Sequence, residues 1–303
     1  MGNYLVTGAA GFIGSSLAQK LISDGHKVTT IDNLTTGYRN KVPNGVNFIE
    51  GDCSDSEIIS KLPNDPFDAI FHIAGQSSGE ISFDDPIYDI RTNAESTLLL
   101  LKFALRNKCS RFIFAGTMSV YGSQDHQPVM EDFICKPESF YGVGKLASEH
   151  YMRIYQNFGI QTTSLRLFNV YGPGQNLTNL RQGMVSIFLA QMLKNKHINV
   201  KGSPDRFRDF IHVDDVVKAF IRCIDNNKSY GEIINVGTGI KTSVLNLINI
   251  LISNQNDKIT TEYSGKTSGD INGIYADIGK MQSILGMKDF ISIEKGASSL
   301  FKL

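Results

Sequence analysis

A glycine-rich segment near the N-terminus, TGAAGFIG, constrains the fold more than any other part of the sequence. It follows an apolar run at residues 4–7, which predicts a buried strand, and leads into residues 14–24, whose apolar positions have helical spacing. Gly8, Gly11 and Gly14 fall in the connection. Because glycine has no Cβ, this turn can be tight, and a phosphate group can approach the backbone N–H groups that open the helix. The segment therefore predicts a strand–turn–helix unit suited to an anionic ligand.

The first half of the chain repeats this alternation. Apolar runs predict strands at residues 4–7, 27–31, 46–50, 69–73, 111–115 and 162–167, and helical spacing predicts helices at 14–24, 54–62, 92–107 and 141–158. Strand–helix–strand alternation is typical of a parallel sheet with helices on both faces. The later part is predicted as an amphipathic segment at 184–194, a basic loop at 201–208, a strand and helix at 210–225, and a less regular tail. Since no linker separates the parts, we expect any second lobe to be interleaved with the first.

The composition of the chain limits the classes of partner and ligand that we expect. Thirty basic and thirty acidic residues cancel over 303 positions, which does not favour a nucleic-acid or membrane surface. The four cysteines lie far apart, without the spacing of metal ligands, so we expect reduced thiols and no metal site. Neither an apolar run of membrane-span length nor a signal-peptide pattern is present in the sequence, and a cytoplasmic location is expected.

The second predicted strand ends at Asp32, eighteen residues past Gly14. In a dinucleotide-binding unit, an acid at this place accepts hydrogen bonds from the adenosine ribose and repels a 2′-phosphate, which favours NAD over NADP. Arg39 is close enough in sequence to leave NADP open as an alternative. Asp52, at the end of the third strand, could reach the adenine or could cap a turn.

A possible catalytic pair lies in the segment YGVGK. Tyr141 is the one tyrosine of eleven with a lysine four residues later, Lys145, and on a helix this spacing places both side chains on one face. An ammonium close to a phenol is expected to lower its pKa and make it a base for a sugar hydroxyl. Without the dinucleotide pattern and the Ser/Thr-bearing turn near residue 117, a solvated helix pair would be the simpler interpretation.

Together, TGAAGFIG, YGVGK, Thr117 ahead of VYG, and RLFNVYGPGQN resemble the extended short-chain dehydrogenase/reductase family, and within it the NAD-dependent nucleotide-sugar epimerases and dehydratases. The similarity runs from residue 4 to about residue 285. It implies an α/β fold with a Rossmann-type, doubly wound parallel sheet and a smaller, interleaved C-terminal lobe for the NDP-sugar. The expected NAD-binding domain comprises residues 1–170 with about 210–234, and the substrate lobe 171–209 and 235–303. A homodimer is implied, through a four-helix bundle formed by helices 92–107 and 141–158 of each subunit.

The resemblance also assigns roles to positions. Thr117 matches a hydroxyl that hydrogen-bonds the sugar, Tyr141 the base, and Lys145 its partner. The residues expected to contact NAD are Gly8, Gly11, Phe12, Ile13, Gly14, Asp32, Asn33, Asp52, Cys53, Ile73, Ala74, Gly75, Asn93, Tyr141 and Lys145. The residues expected to contact the substrate are Ser77, Thr117, Asn169, Arg208, Lys266 and Asp270.

Two positions depart from the family's pattern. Gly144 stands where a serine or threonine usually precedes the lysine, and Lys266 stands near the place of an expected arginine. A lysine offers a point charge rather than the planar fork of arginine. Ile274 falls at or beside a position that gates bulky substituents at C2 of the sugar.

The residues after Thr117 predict the reaction. Dehydratases, and usually the related decarboxylases, carry a carboxylate within two residues of this threonine because they need further proton transfer. Here those places hold Met118 and Ser119. We therefore predict an NDP-sugar 4-epimerase, with UDP as the nucleotide and a transient 4-keto sugar. The alternatives are a dehydratase, decarboxylase or reductase that takes its acid from Glu80 or Asp84, and, more remotely, a non-catalytic NAD-binding regulator.

Overall fold

A computed structural model describes residues 1–265 and 271–301 of the chain. In chain order its strands are β1 (Asn3–Thr7), β2 (Lys27–Asp32), β3 (Asn47–Glu50), β4 (Ala69–His72), β5 (Arg111–Thr117), β6 (Gln161–Leu167), β7 (Asn169–Tyr171), β8 (His197–Lys201), β9 (Phe207–Arg208), β10 (Phe210–His212), β11 (Glu232–Val236), β12 (Thr242–Ser243), β13 (Thr260–Ser264) and β14 (Gly273–Ile274). The α-helices are α1 (Phe12–Ser23), α2 (Ser56–Ser60), α3 (Pro86–Ile90), α4 (Ser96–Asn107), α5 (Phe140–Gln156), α6 (Met184–Asn195), α7 (Val213–Arg222), α8 (Val244–Ser253), α9 (Gly279–Leu285) and α10 (Ile293–Leu300).

A parallel sheet forms the centre of the molecule. Within the described residues it has seven strands in the order β3-β2-β1-β4-β5-β6-β11, and each neighbouring pair is parallel. The chain moves outwards from β1 to β3 and then returns to place β4 on the other side of β1. This reversal leaves a crevice at the carboxyl ends of β1 and β4, which is where open α/β sheets bind ligands. The predicted Rossmann-type fold is confirmed.

The six strands predicted in the first half all lie in this sheet, and their ends differ from those observed by one or two residues. The strand predicted near residue 210 is β10, which pairs with β7 in a separate two-stranded sheet. β11 falls in the part predicted as a less regular tail. Its sequence, EIINV, is short and carries a polar residue at a buried place, Asn235. The Asn235 side chain accepts from the Tyr121 hydroxyl at 2.6 Å and donates to the carbonyl of Val129 at 3.0 Å, so its burial is compensated.

The predicted helices are also present, with local differences. The helix predicted at 92–107 begins as a π-helical turn, Arg91–Glu95, that continues into α4. α3 was not predicted, although Asp85 and Pro86 supply an N-cap and a first-turn proline, which are typical start signals. The loop predicted at 201–208 contains β9, which pairs with β12 and β14.

Side chains from alternate positions of the sheet feed two hydrophobic cores, as a strand buried on both faces requires. Val6 packs on the side of α1 and α7, whereas its neighbour Leu5 packs on the side of α4. A third core joins α6, α8 and α10 around Phe188 and Leu247. The predicted domain boundaries stay a prediction. No α-helix in the described ranges is long and apolar enough to cross a membrane.

A buried ion pair links α5 to β6. Arg166 donates to both carboxylate oxygens of Glu149, at 3.1 and 2.8 Å, and both side chains are only 3% exposed. Replacing Glu149 with leucine leaves a permanently charged guanidinium buried, so we expect the free energy of unfolding to fall by about 3–5 kcal/mol. Denaturant unfolding monitored by circular dichroism measures this loss.

The control is Lys20→Met, which breaks the Lys20–Asp24 pair on α1, whose side chains are 52% and 34% exposed. We expect a loss of at most about 1 kcal/mol there. Equal losses in the two variants would show that the buried pair contributes no more than a surface pair.

Candidate functional site

A cleft of about 470 Å³ opens at the carboxyl edge of the sheet. Its walls come from the glycine-rich turn, from the ends of β2, β4 and β5, from the start of α5, and from the chain that follows β7. The residues predicted to contact a cofactor line this cleft, with the exception of Asn93. Residues distant in sequence thus converge on one place.

The glycine-rich turn is close-packed as the sequence predicts. Gly8 has φ +77°, and a Cβ there would lie 2.9 Å from the backbone nitrogen of Ala74. A Cβ on Gly14 would lie 2.1 Å from the carbonyl oxygen of Gly8. Larger residues would therefore push α1 away from the turn or separate β1 from β4. α1 starts at Phe12, beside Ile13, and both residues line the cleft.

Asp32 holds this turn in place. Its carboxylate accepts hydrogen bonds from the backbone N–H groups of Ala10, at 2.9 Å, and Leu34, at 2.8 Å. Each carboxylate oxygen keeps further lone pairs. The residue that the sequence assigns to a ribose therefore also fixes the shape of the glycine-rich turn.

Asp52 serves as a turn cap, one of its two predicted interpretations. It accepts from the backbone and hydroxyl of Ser54, at 2.8 and 2.7 Å, and from the Asn33 side chain, at 2.8 Å. Asn33, Asp52 and Cys53 all line the cleft. Burial, together with the charges of Asp52 and Asp32, raises the pKa of the Cys53 thiol well above its usual value, which keeps this sulfur neutral.

Arg39 does not reach the cleft. Its guanidinium pairs with Glu50 at 2.9 Å and lies over the Phe48 ring at 4.2 Å from the ring centroid. In this arrangement it is directed along β3 rather than toward Asp32.

The hydroxyl of Thr7 connects β1 to the residues after β4. It accepts the backbone N–H groups of Ile73 and Ala74, both at 3.0 Å, and lies 2.9 Å from Nδ1 of His72. Ile73, Ala74 and Gly75 are thereby fixed against the glycine-rich turn. Sequence reasoning missed Thr7 and His72, since a polar residue inside an apolar strand gives no sign of its partner.

Hydrogen bonding assigns the protonation of His72. The Ser96 hydroxyl donates to the carbonyl of Thr92 at 2.6 Å, so it can only accept from Nε2 of His72, at 3.2 Å. Nε2 then carries the proton and Nδ1 accepts from Thr7. Burial and the nearby ammonium of Lys145 hold the pKa of His72 well below its usual value, in agreement with a neutral ring.

Asn93 lies behind the cleft rather than in its wall. It is fully buried in the π-helical turn and donates to the carbonyl of Gln76 at 3.0 Å. Its Oδ1 would be 2.5 Å from a Cβ on Gly75, which has φ +142°. Within the described residues this oxygen has no hydrogen-bond partner. Gly75 thus leaves a narrow path between the cleft and Asn93.

Thr117, Tyr141 and Lys145 come together on the opposite wall. Thr117 ends β5, and α5 begins beside it with Ser139 as the N-cap. The Thr117 hydroxyl lies near the Tyr141 phenol and favours its ionised form. Lys145 donates to the carbonyl of Ala115 at 3.1 Å, and its Nζ lies 6.0 Å from the Tyr141 ring centroid. The predicted spacing therefore places both side chains at the cleft.

The expected lowering of the phenol's pKa was wrong for the chain by itself. Burial raises the pKa of Tyr141 to about 12; the Thr117 hydroxyl lowers it and the charge of Asp89 raises it. Burial also lowers the pKa of Lys145 to about 8, against the opposing charges of Asp89 and Glu149. The reason is desolvation, which disfavours the charged form of each group in a closed pocket.

A second cavity of about 280 Å³ meets the first near Met118 and Ser119. Ser77 and Asn169 line both cavities, and Arg208 lines the second one. The Oδ1 atom of Asn169 is buried without a hydrogen-bond partner among residues 1–265 and 271–301.

Arg208 is only 3% exposed and donates to the carbonyls of Phe207, at 2.7 Å, and Ile271, at 2.8 Å. Burial, with a contribution from the charge of Arg206, lowers the pKa of its guanidinium to about 10. Lys266 and Asp270 lie outside the described residues.

Other predicted positions have different surroundings. Ile274 is buried in a core with Val120 and Phe168 and lines neither cavity. Arg181 binds both alternative acids, Glu80 at 3.4 Å and Asp84 at 2.6 Å. Its guanidinium lowers the pKa of the exposed Asp84 carboxyl. Glu80 lines the second cavity, whereas Asp84 lines neither of the two.

Residues 174–183, which we call the strap, cross the mouth of the cleft. Sequence reasoning noted residues 174–176 within RLFNVYGPGQN but did not predict a strap. At one end Lys41 donates to the carbonyl of Gly174, and the Tyr38 hydroxyl lies 3.1 Å from that of Thr178. At the other end Arg181 binds Asp84, its carbonyl accepts from Ser78 at 2.9 Å, and Gln182 donates to Ser77. The strap's many amide side chains, in QNLTNLRQ, were the available signal.

The fold and the site together define a dinucleotide-binding α/β protein with a tyrosine–lysine pair beside the cleft. The sequence model of the NAD dependent epimerase/dehydratase family matches residues 4–237. The chain belongs to this family, and the resemblance predicted from its motifs is confirmed.

Proteins of known sequence are similar along almost the whole chain. A provisionally assigned UDP-glucose 4-epimerase of Methanocaldococcus jannaschii is 35% identical, over 96% of this chain and 95% of its own. The UDP-glucose 4-epimerase of Mycolicibacterium smegmatis is 32% identical over 96% and 95%. A UDP-glucuronic acid decarboxylase of Xenopus tropicalis is 28% identical, over 96% of this chain and 69% of its own.

Solved structures of the same fold bind different sugars. The UDP-glucose 4-epimerase of Thermotoga maritima with UDP-glucose has a TM-score of 0.94 and 32% identity, over 99% of this chain and 97% of its own. The UDP-N-acetylglucosamine 4-epimerase of Methanobrevibacter ruminantium has a TM-score of 0.93 and 29% identity, over 99% and 97%. The UDP-glucuronic acid 4-epimerase of Bacillus cereus, with UDP-glucuronic acid and NAD, has a TM-score of 0.89 and 29% identity, over 99% of this chain and 98% of its own.

Proposed function

We propose that the protein is an NAD-dependent epimerase that inverts C4 of a UDP-sugar. The observation that carries the proposal is the position of Thr117, Tyr141 and Lys145 on the wall of a glycine-edged cleft, with Met118 and Ser119 beside them. The epimerase relatives and the family agree with it.

The cleft fits NAD. Gly8 and Gly14 leave space that a Cβ would fill, and α1 directs its first N–H groups toward the place for a pyrophosphate. Asp32 lines the cleft with lone pairs for a ribose, whereas Arg39 is bound to Glu50 and offers no contact to a 2′-phosphate. These features favour NAD over NADP.

Residues of the chain would accept and return the proton of the sugar's C4 hydroxyl. Tyr141 takes the proton of the sugar's C4 hydroxyl, and Thr117 orients that hydroxyl and the phenol. Lys145 supplies a positive charge in a dry site, where it stabilises a phenolate more than in water. What NAD contributes when bound is the removal and return of one hydride at C4, and its own positive charge opposes the raised pKa of Tyr141.

The epimerase interpretation is favoured over dehydration or decarboxylation because the reaction at C4 needs no second acid. Met118 and Ser119 offer none, and Arg181 binds both Glu80 and Asp84. In the second cavity, Asn169 and Arg208 are our candidates for the diphosphate, because their amide and guanidinium groups are donors for phosphate oxygens. We assign Ser77, which lines both cavities, to the same substrate, together with Lys266 and Asp270.

A panel of substrates tests the proposed reaction. Purified protein is incubated with UDP-glucose, UDP-N-acetylglucosamine, UDP-glucuronate and dTDP-glucose, and products are followed by proton NMR. We expect at least one UDP-sugar to give its C4 epimer. Products that are only deoxygenated at C6 or decarboxylated would reject the epimerase, and NAD binding without any turnover would indicate a regulator.

Tyr141→Phe tests the base. The variant keeps the ring and loses the ionisable hydroxyl, so we expect turnover to fall by roughly 10²–10⁴-fold while NAD binding is retained. Epimerisation kinetics and equilibrium dialysis with NAD measure the two quantities. Tyr263→Phe, which removes a hydroxyl from the partly exposed strand β13, is the matched control and should keep full activity. Unchanged turnover in Tyr141→Phe would exclude this residue as the base.

We also propose that the enzyme is a homodimer and acts in the cytoplasm. Val143 and Ile154 lie eleven residues apart on one face of α5, and both are exposed. Leu105 adds an exposed apolar side chain on α4, which packs beside α5. Two such helix pairs could cover each other in a four-helix bundle. The four cysteines are free thiols, as expected in a reducing compartment.

Ile154→Asp tests the dimer. A carboxylate placed in an apolar interface is costly, so we expect the variant to elute as a monomer in size-exclusion chromatography with light scattering. Ile240→Asp is the control, because Ile240 is 59% exposed, close to the 51% of Ile154, but lies in a loop after β11. If Ile154→Asp and Ile240→Asp have the same mass as the parent protein, α5 does not form the interface.

A further inference from the structure

Asp89 is a buried acid without an assigned role. It belongs to α3 and is 0% exposed. One of its oxygens accepts from the Gln76 side chain at 2.9 Å, while its Oδ1 has no hydrogen-bond partner in the described parts of the chain. Burial raises the pKa of the Asp89 carboxyl, whereas the Asn93 and Gln76 side chains and the charge of Lys145 lower it.

The unpartnered oxygen is directed at the catalytic helix. α3 packs against α5, and Oδ1 would lie 3.4 Å from a Cβ on Gly144, the residue directly before Lys145. A Cβ on Gly144 would also lie 3.2 Å from the Cβ of Asn93. The glycine, which departs from the family's pattern, thus leaves the carboxylate open toward this turn of α5 instead of covering it with a hydroxyl side chain.

Lys145 is the positively charged residue of the catalytic wall that acts on Asp89. It is 3% exposed, and its ammonium donates a hydrogen bond to the carbonyl of Ala115 at 3.1 Å. The titratable groups that face it are Asp89 from α3, Tyr141 and Glu149 from α5, and His72 from β4.

Two of these groups are not available to balance the charge of Lys145. Glu149 is bound by Arg166, and His72 is neutral by its hydrogen bonds to Thr7 and Ser96. Asp89 therefore remains as the acid that can balance Lys145. We propose that Asp89 is the buried counter-charge of Lys145, a positioning residue that keeps this ammonium protonated beside Tyr141. The role rests on the proposed function.

The charge of Asp89 raises the pKa of both Lys145 and Tyr141. Burial lowers the pKa of Lys145 to about 8, and Asp89 is the largest effect that opposes this. The same carboxylate raises the pKa of Tyr141. Removing its charge must therefore lower both values, so that Lys145 loses its proton at a lower pH and Tyr141 ionises at a lower pH.

Asp89→Asn tests the proposal, with NMR of the NAD-loaded enzyme labelled with ¹³C at the lysine ε-carbon. The Lys145 resonance is assigned by its loss in Lys145→Met. We expect the midpoint of its titration to fall by roughly one pH unit in Asp89→Asn, as for loss of a near opposite charge. Asp85→Asn is the matched control: it removes a charge from the N-cap of the same helix, keeps the cap, and should leave the midpoint unchanged.

Kinetics give a second readout. Both limbs of the pH profile of kcat should move to lower pH in Asp89→Asn, whereas a merely structural role would reduce kcat and leave the limbs in place. If Asp89→Asn does not fold, Asp89→Thr, which keeps an acceptor for Gln76, serves for the same measurement. An unchanged Lys145 midpoint in a folded variant overturns the proposal. Because the NMR midpoint needs no turnover, absence of epimerisation would reject the proposed function separately.

Discussion

The site depends on the hydroxyl of Thr7, which ties the carboxyl ends of β1 and β4 together. Because it accepts the N–H groups of Ile73 and Ala74, it sets the distance between the glycine-rich turn and the chain that leaves β4. Neutral His72 fixes the direction of this hydroxyl from behind. A crevice at a sheet's topological switch point is a general property of the fold, but here its width is determined by one side chain in the first strand.

The electrostatics of the opposite wall follow from burial more than from pairing. A lysine and a tyrosine one helical turn apart would assist each other in water-exposed surroundings, yet desolvation moves their pKa values in the direction of the neutral forms. Burial and the charge of Asp89 thus oppose ionisation of Tyr141, and a further positive charge in the cleft would favour it.

Much of this could be predicted from the sequence, since most strands of the Rossmann sheet are short runs rich in apolar or β-branched residues and the glycines have a steric purpose. The cleft residues near Gly8 and Tyr141 could also be predicted, because each belongs to a short motif whose residues lie close together in the sequence. What could not be predicted depends on contacts across the fold. β11 is a short strand whose buried Asn235 is satisfied only by distant partners, and the pKa of Tyr141 is set by an enclosure that no local pattern describes.

The strap has a consequence for how the enzyme could work through many cycles. It is attached at two places: near Tyr38 and Lys41 over the nucleotide end of the cleft, and near Ser78 and Asp84 beside the sugar end. The second attachment includes an exposed ion pair, which is readily broken. Loss of this ion pair alone would leave the hydrogen bonds at Tyr38 and Lys41 and that from Ser78 in place, so opening of the strap at either end requires several contacts to break together.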